Sequence, residues 1–303
     1  VQIRTAVEAD LDVILTLLAD KSINTADPAR YQAQLESRHY RPEWTWLAVD
    51  GDVIVAAAVW WGFPSGTEPL ALDGLYAVPA LADVVPVWTE LIRAAGVPHA
   101  EYHIFLPGGW RTDPDVSAAL EPRTAAAKAA GLTNVLERLR YEWKTGTPVP
   151  PRSTRLRFET EPSDEAFLDV FRRTAEGSLD DDTRTRVARD GLDEFAAETL
   201  DMYKTMPGPR EWWKLAYSVE TGDLVGFAMP SANNGGPVVG FLGVLPAHRG
   251  HRYADDLLAE ITADLAESGA ARIAADTDLD NVPMVRSFDR LGYDNFGVRL
   301  VLS

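Results

Sequence analysis

The segment from Gly240 to Leu258 gathers the groups of this chain best suited to holding a phosphorylated ligand. A strand-like apolar run, Val238 to Leu245, stops at Pro246 and passes through a basic turn. It then enters a helix whose Ala254, Leu257, Leu258, Ile261 and Leu265 recur at helical spacing before Gly269. The N–H groups of a first helical turn lack internal partners and carry the positive end of the dipole. A strand–turn–helix with a small basic turn is therefore a cradle for a phosphate or pyrophosphate. His248, Arg249, His251 and Arg252 crowd that turn, although the chain as a whole carries a net charge of −17. A uniformly acidic surface repels nucleic acid, so a small phosphorylated ligand fits the cluster better.

Two acidic runs could do complementary chemistry. In the strand-like Arg272–Asp278 segment, Asp276 and Asp278 fall on one face. A paired acid there, with its pKa raised by burial and by its neighbour, could take a proton from an amine. Asp280 reads as a helix N-cap, with Pro283 in the first turn that follows. Upstream, Glu176-Gly-Ser-Leu-Asp-Asp-Asp182 sets carboxylates beside Gly177 and Ser178, and Glu176, Ser178 and Asp180 would attract a cationic group. The same run also reads as a solvated helix start. The absence of cysteine excludes disulfides, thiolate nucleophiles and cysteine-ligated zinc, and no other metal site is expected.

These groups need elements to position them, and the chain lays out similar elements twice. Its 303 residues suffice for two domains with their own cores. A Pro-rich, aperiodic stretch, Thr145 to Ser153, reads as the connector. Before it come a strand at Gln2–Thr5, helices near Asp10–Leu18 and Pro28–Glu36, and a hairpin turning on Asp50-Gly51-Asp52. A strand near Leu70–Val78, a helix at Val84–Ala95, a strand at Glu101–Leu106 and a helix ending at Gly131 follow. After it, a strand at Leu156–Glu159, helices at Asp164–Thr174 and Leu192–Lys204, and a hairpin on Thr221-Gly222-Asp223 lead into the basic motif. The motif strand and helix, the strand to Asp278, a short helix and a strand at Phe296–Leu302 complete the order. Domains at 1–147 and 154–303 are expected, each of mixed α/β type, two copies of one unit. The run Trp44, Trp46, Trp60 and Trp61 reads as core. No apolar run is long enough to span a membrane and the first residues form no signal peptide, so a cytoplasmic protein is expected.

Val244-x-Pro-x-x-Arg249-Gly250-x-x-x-Ala254 resembles the acyl-CoA loop of the GNAT N-acetyltransferases, usually V-x-P-x-x-R-G-x-G-x-G/A. A second family element, usually N-x-x-A-x-x-x-Y-x-x-x-G-F, is matched in order by Asn281, Met284, Phe288, Gly292 and Tyr293. The resemblance implies tandem GNAT-type domains, each a twisted mixed sheet flanked by helices, with the acyl donor in a gap between splayed strands. The first copy is degenerate: its counterpart of the loop, Leu75 to Val84, has no basic residue and contains Asp83. It is expected to wall the acceptor pocket, and by the family pattern the loop with Glu176, Ser178 and Asp180 recognises a cationic acceptor. By the family pattern, Leu242, Gly243 and Val244 pair with pantetheine through their backbone. Gly250, His251, Arg252, Tyr253, Ala254 and Asp255 offer N–H groups to pyrophosphate, with charge-assisted bonds from Arg249 and Arg252. Asp276 occupies the place where some members carry a catalytic acid, and Asn281 binds a pantetheine amide or positions a water.

Two positions depart from the family. Arg252 replaces a glycine, and Phe288 replaces the tyrosine that protonates the leaving thiolate, with Tyr253 and Tyr293 as substitutes. The resemblance implies an N-acyltransferase moving an acyl group, acetyl in the family's usual case, from acyl-CoA to a small-molecule amine. Direct attack in a ternary complex, in antibiotic modification or natural-product biosynthesis, is the expected setting. Two alternatives stand beside it: a phosphopantetheinyl carrier-protein thioester as donor, and a non-catalytic acyl-CoA sensor.

Overall fold

The computed structural model describes residues 1–303 except 20–22, 24, 25 and 234. In chain order the strands and helices of the first half are β1 (Gln2–Thr5), α1 (Leu11–Leu17), α2 (Pro28–Glu36), β2 (Thr45–Asp50), β3 (Val53–Trp61), β4 (Ala71–Ala77), α3 (Val84–Ala95), β5 (Glu101–Pro107), α4 (Pro114–Ala130) and β6 (Val135–Lys144). The second half adds β7 (Leu156–Thr160), α5 (Asp164–Ala175), α6 (Asp181–Asp190), α7 (Leu192–Thr205), β8 (Lys214–Ser218), β9 (Leu224–Asn233), β10 (Gly236–Val244), α8 (Tyr253–Glu267), β11 (Arg272–Asp278), α9 (Val282–Arg290) and β12 (Asp294–Leu302). Among the described residues no helix is long and apolar enough to cross a membrane.

The chain divides into two compact units, Val1–Arg138 with Gly297–Ser303, and Leu139–Phe296. The sequence pattern alone suggested a division at the Pro-rich connector with β12 in the second half. Instead β12 lies antiparallel to β5, Val298 opposite Leu106 and Leu300 opposite Ile104, and closes the sheet of the first unit. Residues 139–144 of β6 in turn flank β11 in the second. The first unit therefore takes its last strand from the far end of the sequence, which local periodicity cannot reveal.

Within the first unit β1 to β4 run as an antiparallel meander and β5 joins β4 in parallel. The second unit repeats the plan with β7 to β10 and a parallel β11. On one face of its sheet Leu257, Leu258, Ile261 and Leu265 of α8 pack on Val225, Ala228 and Ile273. On the other, Phe167, Val170 and Phe171 of α5 and Phe195 of α7 pack on Phe227 and Met229. Trp44 and Trp60 are core residues, as their run suggested, whereas Trp46 and Trp61 are only half-buried.

The connector is anchored rather than loose. Helix α8 carries a stripe of acids, Asp256, Glu260, Asp264 and Glu267. Arg152 pairs with Glu260 (2.7 Å), Asp264 (3.0 Å) and Glu267 (2.7 Å), Arg155 with Asp256, and Lys214 of β8 with Glu260 and Asp264. Glu260 and Asp264 are nearly buried, and a buried acid is tolerated when paired and hydrogen-bonded.

The feature that shapes the second unit is a bulge in β10. Val238 faces Ser231 of β9, the register then shifts, and pairing resumes at Phe241 and Met229. Gly240 occupies the bulge with φ +69°, and a Cβ there would lie 2.1 Å from the Met229 carbonyl oxygen. The room left by Gly240 thus admits the protein's own backbone. Gly243 is similarly crowded by the Phe227 ring. Gly240→Ala combines backbone strain with that clash. We expect a loss of about 3 kcal/mol, read from denaturant unfolding; an unchanged unfolding midpoint would show that the bulge can be remodelled.

Candidate functional site

Strand β10 lies between β9 and β11, where a strand should be covered, and β9 is indeed buried from Val225 to Ser231. Residues 240–244 of β10 are nevertheless half-exposed. The cause is the bulge. Parallel pairing with β11 places Val238 opposite Ala274, and among the described residues no later register pair joins the two strands. Leu245 donates its N–H to the Val225 carbonyl across on β9. Strand alternation then turns the backbone of Gly243 toward β9 and that of Leu242 and Val244 toward the gap. Tyr203 of α7 holds the bulge by donating to the Gly240 carbonyl at 3.0 Å.

The gap leads to the basic turn. Gly250 (φ +86°) and Arg252 (φ +61°) bend the chain into the first turn of α8, where Tyr253, Ala254 and Asp255 begin the helix. Arg252 thus adopts the left-handed conformation for which the family uses glycine, at a cost of about 1–2 kcal/mol. Its side chain is exposed, as is that of His251. Arg249 behaves differently from the expected phosphate ligand. Its guanidinium donates to the carbonyls of Val244, Thr174, Glu176 and Gly177 at 2.8–3.1 Å, so it faces the protein's own backbone.

Two cations that sequence reasoning missed support the turn. Arg155 donates to the His251 carbonyl (3.1 Å), pairs with Asp256 and lies over the Tyr253 ring. Arg290 of α9 grips Asp255 with both nitrogens, at 2.6 and 2.8 Å. Burial pushes the Asp255 carboxyl up, but bonds from Arg290 and Ser287 outweigh it and hold the group below the usual carboxylate range.

Across the gap, Asp276 is half-exposed and lies 3.7 Å from Arg140 of β6. Asp278 is buried, and its carboxylate accepts the Asp181 N–H at 2.6 Å, pinning the start of α6. Asp180 caps α6 by accepting from the Thr183 N–H and hydroxyl, both at 2.9 Å. The stretch expected as an open acceptor loop is therefore half helix, and Asp180 works within it. Glu176 and Ser178 instead line a pocket of about 320 Å³ bounded by α5, α6 and Leu192. Asn281 starts α9 without capping it through its side chain. Phe288 is buried, stacked on Tyr141 at 4.7 Å and edge-on to Tyr293 at 5.2 Å. Tyr293 shares a 2.6 Å hydrogen bond with Thr262 and is core, while Tyr253 sits by the basic turn. The Tyr141 hydroxyl, 3.4 Å from Asp289, is pushed up to about 12 by burial and by that acid.

The first unit contains the same gap, closed. β4 and β5 pair at Leu72 and Tyr102, the register of β4 on β3 shifts after Trp60, and Val78 donates to Val55 just as Leu245 does to Val225. Leu75 is thereby the counterpart of Leu242. Its carbonyl accepts from Arg123 of α4 at 3.1 Å, and Arg123 is 3% exposed and lies against Trp88. Residues 71–76 are fully buried. The side chains of this unit fill its own slot.

Residues 180–293 match the profile of the Acetyltransferase (GNAT) family. A search of curated proteins finds no match. Among solved structures, the chain is similar to a GCN5-related N-acetyltransferase from Sphaerobacter thermophilus (TM-score 0.62, 16% identity, covering 99% of this chain and 94% of the other). It is also similar to a tandem GNAT protein from the clavulanic acid biosynthesis pathway (TM-score 0.56, 16% identity, 99% and 97% covered). Residues 180–293 thus match the GNAT acetyltransferase family, and the fold of the whole chain is similar to that of a tandem GNAT protein.

Two outcomes test this geometry. Titration with CoA should give one site per chain, because Arg123 occupies the first slot; two sites would refute self-closure. The Asp255 carboxyl is depressed in the fold, so its stabilisation is present above the unfolded pKa of about 4 and disappears as pH falls through the folded value. The thermal midpoints of wild type and Asp255→Asn should accordingly differ at pH 7 and converge in acid. A gap independent of pH would remove the carboxylate as its cause.

Proposed function

We propose that the second unit transfers an acyl group from acyl-CoA to the amine of a small molecule, by direct attack while both substrates are bound. The observation that carries this is the half-exposed edge of β10, whose Leu242 and Val244 backbone groups face a gap ending at the first turn of α8. A pantetheine arm would pair with that edge as an added strand, and the pyrophosphate would accept from the N–H groups of residues 250–255. His251 would hydrogen-bond beside it, and Arg252 stands exposed at the same turn. Asn281, with its side chain unused by α9, is assigned to a pantetheine amide or a water.

Asp276 is the proposed base. The amine nitrogen attacks the thioester carbonyl carbon, the C–S bond breaks, and the proton lost by nitrogen ends on the thiolate, carried by Asp276 or water. Phe288 has no proton to give. Asp278 and Asp180 serve this reaction by holding α6, while Glu176 and Ser178 meet the acceptor. Asp276→Asn should lower kcat by ~10²–10⁴-fold at neutral pH, with donor affinity nearly unchanged and a smaller loss at high pH. Normal turnover by the variant would move the base elsewhere.

A second reading, a carrier-protein thioester as donor, is favoured by exposed Arg252, which could grip an acidic partner. With purified enzyme and mixed amines, mass changes would be compared for CoA and carrier-protein thioesters. If CoA is the donor, Arg252→Gly should preserve or improve binding and gain about 1 kcal/mol of stability from relieved strain. If a carrier protein is the donor, the change should weaken binding and flatten its salt dependence. Acyl transfer from neither donor would sink both readings.

A further inference from the structure

Arg249 opens the Arg-Gly turn, yet its guanidinium is directed at the junction between α5 and α6. Nε donates to Val244 O at 3.1 Å, Nη1 to Glu176 O at 2.8 Å and Gly177 O at 3.0 Å, and Nη2 to Thr174 O at 2.8 Å. The choice of partners has a physical reason. Helix α5 ends at Ala175 and the chain turns extended at Glu176, φ −61° and ψ 118°. The last carbonyls of a helix have no internal donor and carry the negative end of its dipole, so a cation is their complement. Arg249 supplies that cap from the donor loop. Gly177 (φ +61°) completes the turn, and a Cβ on it would lie 3.3 Å from Arg249 Nη1. Burial draws the guanidinium pKa down while Glu176 opposes the shift.

The junction is also a wall. Ala175 to Ser178 form one side of the 320 Å³ pocket, with Val187 and Ala188 of α6 opposite. Apolar groups make most of the lining, and Glu176 and Arg184 are its charged residues, which suits a small ligand with an apolar body and a polar group. The residue holding that wall adjoins the N–H groups proposed for the donor phosphates, and also fastens the end of the donor strand at Val244.

We infer that Arg249 is a positioning residue that couples the donor loop to the acceptor pocket. Donor phosphates that order residues 250–254 also fix the guanidinium, and with it the junction at 174–178. The pocket then takes its shape after the donor is in place. The inference rests on the donor reading above, and the acceptor need not be known to test it.

The test is hydrogen exchange on the full chain with and without CoA. In wild type, CoA should slow exchange at 250–256 and also at 174–184. Arg249→Gln should keep the first effect and reduce the second at least ~5-fold, the lower end of typical coupling between sites. Gly177→Ala, which crowds Nη1 while leaving the arginine in place, should uncouple in the same way if Arg249→Gln folds poorly. Protection confined to 250–256 in wild type, or protection at 174–184 unchanged in both variants, would overturn the coupling. A wild type that shows no protection at 250–256 would overturn the donor reading and this inference together.

Discussion

The second unit depends on a central strand surrendering one of its two partners. A buried strand normally satisfies both backbone edges, because an orphaned N–H or C=O away from water is costly. The Gly240 bulge releases residues 240–244 of β10 from β11 while their bonds to β9 continue. Such an opening is affordable only if solvent or a ligand reaches the edge, and those residues are half-exposed. Tyr203 fastens the bulge carbonyl, Arg249 fastens the end of the strand, and α5, α7 and α8 are packed around it. The gap beside β10 is thus a defect in a sheet, maintained by its surroundings.

The first unit shows the alternative solution to the same constraint. It has the same strand pairing, bulge and outgoing proline, but its slot is filled from within. Arg123 takes the Leu75 carbonyl, and its charge is accommodated by the Trp88 ring and a bond to the Ala119 carbonyl. The turn between Val78 and Asp83 correspondingly contains no basic residue. A side chain of the unit itself thus satisfies the strand edge, with the fold retained.

The motif was legible because it is local: Val244, Pro246, Arg249 and Gly250 lie within one strand–turn–helix, and the elements around it follow from periodicity. Helix α6 escaped because its sequence, Asp-Asp-Thr-Arg-Thr-Arg-Val-Ala-Arg-Asp, buries only Thr183, leaving no apolar stripe. Strand β6 carried a readable signal, with Leu139, Tyr141 and Trp143 alternating against Arg138, Arg140 and Glu142. That charged face stands beside β11, where Arg272 meets Glu142 at 2.6 Å and Asp276 meets Arg140. The roles of Arg123, Arg155 and Arg290 depend on partners from 35 to 101 residues away, which spacing cannot supply. The exchanged strand β12 was hidden for the same reason.

Electrostatics explain why so many distant arginines converge on one turn. Acids in a helix's first turn stabilise the helix through its dipole but repel a phosphate at the same N–H groups. Helix α8 carries two, Asp255 and Asp256, in a chain of net charge −17. Arg290 answers the first and Arg155 the second, so the helix keeps its stabilising acids while the turn remains receptive to an anion. Arg249 is committed to backbone carbonyls, which leaves Arg252 and His251 as the exposed basic groups of the turn. The positive φ of Arg252 is the strain of carrying a side chain where glycine would relieve the backbone.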